Sequence, residues 1–262
     1  MLIIGEKLNS TIPKVRKAIK EKDRAFVQDM AIKQTKAGAD LLDVNTAMED
    51  EVNDMQWMIE TIQQVVDTPL CIDSTNPKAI EKGLETAQSR VMLNSISMEK
   101  TRLEGVLPLA LDAKCELVAL TTDDNGVPKT VDDRLAIAGR LVDTIDKNNF
   151  PQEKLYIDPL VLPLAVSSDN AVIFYQSLVE IKKQYGVKTI SGLSNVSHSL
   201  PKRRLINRYF LANCINLGMD AAILDPLDAH IMTAITVTSL LTNKDRFSRK
   251  YLQAYRDGIL QD

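Results

Sequence analysis

The feature that most limits how this chain can fold is an alternation, repeated about eight times, between short apolar runs and longer stretches of helical periodicity. The runs are Leu2–Ile4, Leu41–Val44, Leu70–Ile72, Val91–Leu93, Leu117–Leu120, Leu155–Ile157, Thr189–Leu193 and Ala221–Leu224, each leading into a polar residue. Between them, Glu51–Val66, Pro77–Ala87, Arg102–Ala113 and Asp132–Asp146 carry apolar residues at helical spacing. In the first of these, Val52, Met55, Met58, Ile59, Ile62 and Val66 fall on one stripe. An open doubly wound sheet uses the same alternation but usually has fewer parallel strands. Eight units in 262 residues favour a closed (β/α)8 TIM barrel, which takes about 250 residues. No composition break or low-complexity segment marks a linker, so one barrel domain over residues 1–262 is expected.

Aromatics make up only 5% of the chain, so the core must rest on Leu, Ile, Val and Ala, a choice that suits short parallel strands. A net charge of −3 argues against nucleic acid as the main partner, since phosphate binding needs a basic surface, and Lys202-Arg203-Arg204 is too short to reverse that. Cys71, Cys115 and Cys214 are odd in number and widely spaced, which gives neither a zinc pair nor a disulfide framework and points to a reducing cytoplasm. The first residues, Met1 to Glu6, turn acidic too soon for a signal peptide. No apolar run approaches the roughly 18 residues of a membrane helix.

In a barrel of this kind, catalytic groups sit at the C-terminal ends of the strands. Those ends read Glu6 and Asn9, Asp43 and Asn45, Asp73, Ser74 and Asn76, Asn94 and Ser95, Thr121 and Asp123, Asp158, Ser194 and Asn195, and Asp225. Asp and Asn often cap the helices that follow strands. As a set, however, several carboxylates around one mouth would repel unless a ligand or metal satisfied them. Divalent metals are usually held with His or tightly spaced carboxylates, so no metal is expected. A heterocycle rich in N–H donors fits better. A pterin carries an N–H beside an exocyclic NH2, a donor fork that one carboxylate can accept in parallel, and Asn can read the ring's mixed edge.

Other chemistries find little support. The ten glycines are dispersed, with no dinucleotide fingerprint or P-loop. There is no G-x-S-x-G elbow. Asp228-Ala229-His230 begins like a D-x-H-x-x-G cobalamin motif, but Thr233 occupies the glycine position, so His230 reads as an ordinary helix residue.

Four strand-end motifs occur in order: Cys71-Ile72-Asp73-Ser74-Thr75-Asn76, Met92-Leu93-Asn94-Ser95, Tyr156-Ile157-Asp158-Pro159-Leu160 and Gly192-Leu193-Ser194-Asn195-Val196-Ser197. Together with Ile4-Gly5-Glu6 and Leu205-Ile206-Asn207-Arg208, they resemble the methyltetrahydrofolate:corrinoid methyltransferases over about residues 1–240. That resemblance implies a pterin-binding TIM barrel. It implies tetrahydrofolate or 5-methyltetrahydrofolate as substrate and a corrinoid carried by a partner protein, with a homodimer as the assembly. It places the pterin on Asp73, Asn94 and Asp158, with Asp158 as the bidentate carboxylate, and Asn195 near N5 as the catalytic group. Glu6, Gly192, Ser194 and Arg203 match further positions around the folate. The implied reaction is in-line displacement at the methyl carbon by cobalt(I), with N5 activated by a hydrogen bond or proton. No obvious acid stands among the matched residues, so the proton is expected to arrive through water.

Two alternatives remain. A dihydropteroate synthase-like enzyme shares the Asp, Asn, Asp logic, but typically needs a lysine on the seventh strand and Arg-x-His on the eighth. Here those segments read Thr189-Ile190-Ser191-Gly192 and Ala221-Ala222-Ile223-Leu224-Asp225. A non-catalytic folate-binding subunit is the other, against which the presence of Asn195 argues.

Overall fold

The computed structural model describes residues 1–48 and 50–261. The elements follow the expected alternation: β1 (Leu2–Asn9), α1 (Pro13–Glu21), α2 (Arg24–Lys36), β2 (Leu41–Asn45), α3 (Glu51–Gln63), β3 (Leu70–Asp73), α4 (Pro77–Thr86), β4 (Val91–Met98) and α5 (Lys100–Ala113). The second half continues with β5 (Glu116–Asp123), α6 (Val131–Lys147), β6 (Leu155–Asp158), α7 (Asn170–Tyr185), β7 (Lys188–Thr189), α8 (Arg203–Asn216), β8 (Ala221–Leu224), α9 (Ala229–Leu241) and α10 (Arg249–Arg256). All eight strands lie in one parallel sheet, ordered β7-β6-β5-β4-β3-β2-β1-β8. The seam between β7 and β8 is closed by Asp220 N–H to the Thr189 carbonyl at 3.1 Å and Ile223 N–H to the Ser191 carbonyl at 2.9 Å, with a parallel bridge between Gly192 and Ile223. The sheet is a (β/α)8 barrel.

Local chemistry sets the helix starts. Asn76 accepts from the Lys78 amide at 3.1 Å ahead of Pro77, whose missing N–H is harmless in a first turn. Thr130 accepts from the Asp133 amide at 3.1 Å, and Asp228 from the His230 amide at 3.1 Å, each satisfying a donor the helix leaves open. His230 is accordingly a first-turn residue of α9. The α3 stripe is fully buried at Met55, Met58, Ile59 and Ile62, each such side chain contributing about 1.5–3 kcal/mol.

The seventh run is the one that departs from expectation. β7 pairs with β6 over Lys188 and Thr189, the chain stays bridged to β8 as far as Gly192, and Leu193–Ser197 then wind into a 3-10 turn. Ser194 Oγ is bonded to Glu6, and the Ser194 carbonyl accepts from Arg203. These contacts draw the chain off the ladder.

All three cysteines are free and buried. Among the described residues, no helix is long and apolar enough to cross a membrane.

Candidate active site at the barrel mouth

Inside the barrel, one apolar side chain from each strand run forms a floor: Ile4, Leu41, Cys71, Met92, Val118, Tyr156, Ile190 and Ala221. Residues i and i+2 of a strand share a face. The layer above this floor is therefore Glu6, Asp43, Asp73, Asn94, Leu120, Asp158, Gly192 and Ile223. Four carboxylates and one amide thus ring the C-terminal mouth. The ladder pairs Asp73 with Asn94 and Leu120 with Asp158, while Asn94 itself pairs with Val118, two residues before Leu120.

Burial governs the charge of this ring. Asp158 is 8% exposed, and desolvation pushes its pKa up to about 7 against the Leu160 amide, the Arg134 charge and the Gly192 amide. Leu160 N–H donates to its Oδ1 at 2.7 Å, and its backbone carbonyl accepts from Thr121 Oγ at 3.1 Å. Asp73 is raised to about 6 by desolvation, opposed by Asn45 and Arg102; Asn45 Nδ2 donates to its Oδ2 at 3.0 Å. Asp43 on the neighbouring strand, 2% exposed, is pushed well above the usual carboxylate range by burial and then by the Asp73 charge. Burial thus brings Asp158 close to neutral pH and Asp73 somewhat below it. The cause is the apolar floor, which sequence spacing does not reveal.

A second cluster lies across the mouth. Ser194 Oγ donates to both oxygens of Glu6, at 2.9 and 3.0 Å. Lys7 lies 3.8 Å from Glu6 and 2.8 Å from Asp225. Arg203 donates to the Ser194 carbonyl at 2.7 Å and to Ser197 Oγ at 3.1 Å. Glu6, Ser194 and Arg203 therefore grip the turn that carries Asn195. Asn195 is exposed, and its side chain does not cap α8, whose N-cap is Lys202. A Cβ on Gly192 would lie 3.3 Å from Asn195 Nδ2. Glycine there keeps the asparagine's position open. Glu6, Lys7, Ser194, Arg203, Asp225 and neighbours line a cavity of about 260 Å3.

Other strand-end residues serve the fold. Asp123 is ion-paired with Arg140, Asn9 accepts from Thr11, and Asn76 caps α4. Two residues outside the expected set belong to the site. Asp43 was visible as a strand-end carboxylate whose inward parity matches Asp73 one strand over. Arg134 shares the buried stripe of α6 with Ile137, Ala138, Leu141 and Ile145, an odd place for a cation.

Residues 5–225 match the family model described as "Pterin binding enzyme". The chain belongs to the pterin-binding enzyme family. Among curated relatives it is 40% identical over 263 residues to the methylcorrinoid:tetrahydrofolate methyltransferase of Eubacterium limosum, covering 98% of this chain and 97% of that protein. It is 31% identical over 239 residues to the methionine synthase of Mycobacterium leprae (strain TN), covering 85% of this chain but only 20% of that protein. Among solved structures, the dihydropteroate synthase of Xanthomonas albilineans in complex with 7,8-dihydropteroate superposes with a TM-score of 0.67 at 17% identity, over 92% of this chain and 93% of that one. The dihydropteroate synthase of Vibrio fischeri ES114 gives 0.68 at 14% identity, over 93% of each chain. At such identities the likeness speaks for the shared barrel alone.

Proposed function

We propose that this enzyme moves a methyl group between N5 of tetrahydrofolate and the cobalt of a corrinoid held on a separate protein. The observation that carries the reading is the inward-facing polar set of Asp73, Asn94 and Asp158 above an apolar floor, with Asn195 poised on a gripped turn after β7. The relative named as a methylcorrinoid:tetrahydrofolate methyltransferase, matched end to end, supports the same reaction. In this reading Asp158 accepts the paired N–H donors of the pterin, Asn94 meets the mixed edge, and Asp73 takes a further ring donor. Both Asp158 oxygens keep a lone pair for the ligand while Oδ1 also accepts from Leu160.

The bond that forms or breaks joins methyl carbon to a tertiary amine, a poor leaving group unless N5 gains a proton or a strong hydrogen bond. Asn195 is the group assigned to N5, its amide oxygen stabilising the protonated nitrogen, with the proton delivered through water. The corrinoid supplies the cobalt that gives or takes the methyl group. Glu6, Ser194 and Arg203 act by holding the Asn195 turn, and Gly192 by leaving it room.

The whole chain acts as one pterin-binding domain, in one-carbon metabolism of the cytoplasm. The assembly is a homodimer, supported by an apolar groove of about 340 Å3 between α7 and α8, at which Leu205 is 49% and Tyr209 64% exposed. The test mixes the protein with 5-methyltetrahydrofolate and cobalt(I) cobalamin, and in reverse with tetrahydrofolate and methylcobalamin, while the cobalt spectrum is followed. Protein-dependent conversion is expected. No conversion, with dihydropteroate and pyrophosphate formed instead from a dihydropterin pyrophosphate and p-aminobenzoate, would favour the synthase-like alternative.

A further inference from the structure

Arg134 is the largest fully buried side chain of the fold, 0% exposed. A guanidinium in such a place needs partners, yet this one makes a single hydrogen bond. Its Nη1 donates to the Leu160 carbonyl at 3.1 Å, while Nε and Nη2 have no partner among the described residues. Leu160 itself adopts a left-handed backbone, φ +67°, which is unfavourable for a residue with a Cβ and persists only where its surroundings hold it. Its amide then donates to Asp158 Oδ1 at 2.7 Å. One residue of backbone thus links a buried cation on α6 to the carboxylate at the barrel mouth.

We propose that Arg134 is a positioning residue for the Asp158 carboxylate, acting through the backbone of Leu160 and through its own charge. The guanidinium pins the carbonyl, which fixes the Leu160 peptide, which in turn orients Asp158 Oδ1. Its positive field also favours the ionised carboxylate against the desolvation that opposes it. The groups that act on the Asp158 carboxylate are the Leu160 amide, Arg134 from α6 and the Gly192 amide from the turn after β7, while the Thr121 hydroxyl from β5 holds the Asp158 backbone carbonyl. Arg134 is the charged one among them. The ligand-directed half of this inference rests on the pterin reading above; the electrostatic half does not.

The test uses Arg134→Met, which removes tether and charge, Arg134→Gln, which keeps a donor without charge, and Arg134→Lys, which keeps charge. The carbon-13 carboxyl resonance of Asp158, assigned with Asp158→Asn, is titrated in the free protein. The midpoint should lie near 7 in the wild type, rise by roughly half a pH unit or more in the Met and Gln variants, and stay close to wild type in the Lys variant. A purely structural arginine would lower the melting temperature and leave the midpoint in place, and that result in any folded uncharged variant overturns the proposal. At pH 8.5 or above the raised midpoints, where the carboxylate is ionised in every variant, affinity for 5-methyltetrahydrofolate should fall about tenfold in the Met variant and less in the Gln variant. Equal affinity of the Met variant and wild type removes the tether. If the wild type binds no folate, the functional reading fails while the free-protein titration still decides the role of Arg134.

Discussion

Asp158→Asn is expected to strengthen the fold at alkaline pH while it removes the ligand. Burial raises the Asp158 pKa from 3.8 to about 7. Below about pH 4 the group is protonated in both folded and unfolded chains, and its stabilising preference for the neutral form is fully present. As pH rises from about 4 to about 7, only the unfolded chain ionises, so the wild type loses roughly 1.36 kcal/mol per pH unit, about 3–4 kcal/mol in all. Asparagine is neutral throughout, and its carbonyl oxygen can still accept from the Leu160 amide. The stability of Asp158→Asn relative to wild type should therefore grow by about 2–3 kcal/mol between pH 5 and pH 8. Urea denaturation of both proteins at the two pH values measures it. A difference that does not change with pH would refute the reasoning, because it would mean that Asp158 ionises as freely in the fold as in the unfolded chain.

The same midpoint governs ligand affinity: if the pterin needs the ionised carboxylate, affinity for 5-methyltetrahydrofolate should plateau above about pH 7 and weaken about tenfold per pH unit below it, read by quenching of Trp57. Asn195→Ala should lower the single-turnover rate by about 10²–10³ and change folate affinity only slightly; near-normal rates at saturating folate would remove Asn195 from the chemistry. Gly192→Ala should slow transfer with little loss of stability, since the new Cβ crowds Asn195 Nδ2 at 3.3 Å while the backbone φ of −75° accepts alanine; unchanged turnover would show that the asparagine tolerates the displacement. Tyr209→Glu, in the α7–α8 groove, should halve the mass seen by light scattering, and a wild-type mass of 29.2 kDa would contradict the dimer.

Much of the fold was legible because two periodicities with different physical origins alternate along the chain. The Pro77, Arg102 and Asp132 helices appear within two residues of their expected starts, since caps and apolar stripes are local. The seventh strand was overread only at its end: the chain keeps strand-like bonds as far as Gly192, and Leu193 begins the turn that Glu6 and Arg203 hold through Ser194. At the site, Asp73, Asn94 and Asp158 share the inward face because i, i+2 parity is fixed by sequence. Glu6, Ser194 and Arg203 were legible as neighbours of the site, although their mutual bonds were not. The shifts of Asp158 and Asp73, the coupling of Asp43 to Asp73 and the link from Arg134 through Leu160 depend on three-dimensional burial, and linear spacing carries little trace of them.

The central claim is that the methyl carbon itself crosses between folate and cobalt on this protein. Carbon-13 NMR of 5-[13C]methyltetrahydrofolate mixed with cobalt(I) cobalamin, with and without the protein, follows that carbon directly. The account predicts that the label leaves N5 and appears on cobalt at a rate that requires the protein and collapses in Asn195→Ala. A label that stays on N5 while the folate binds normally would contradict it, and would leave a folate-binding barrel that is not a methyltransferase.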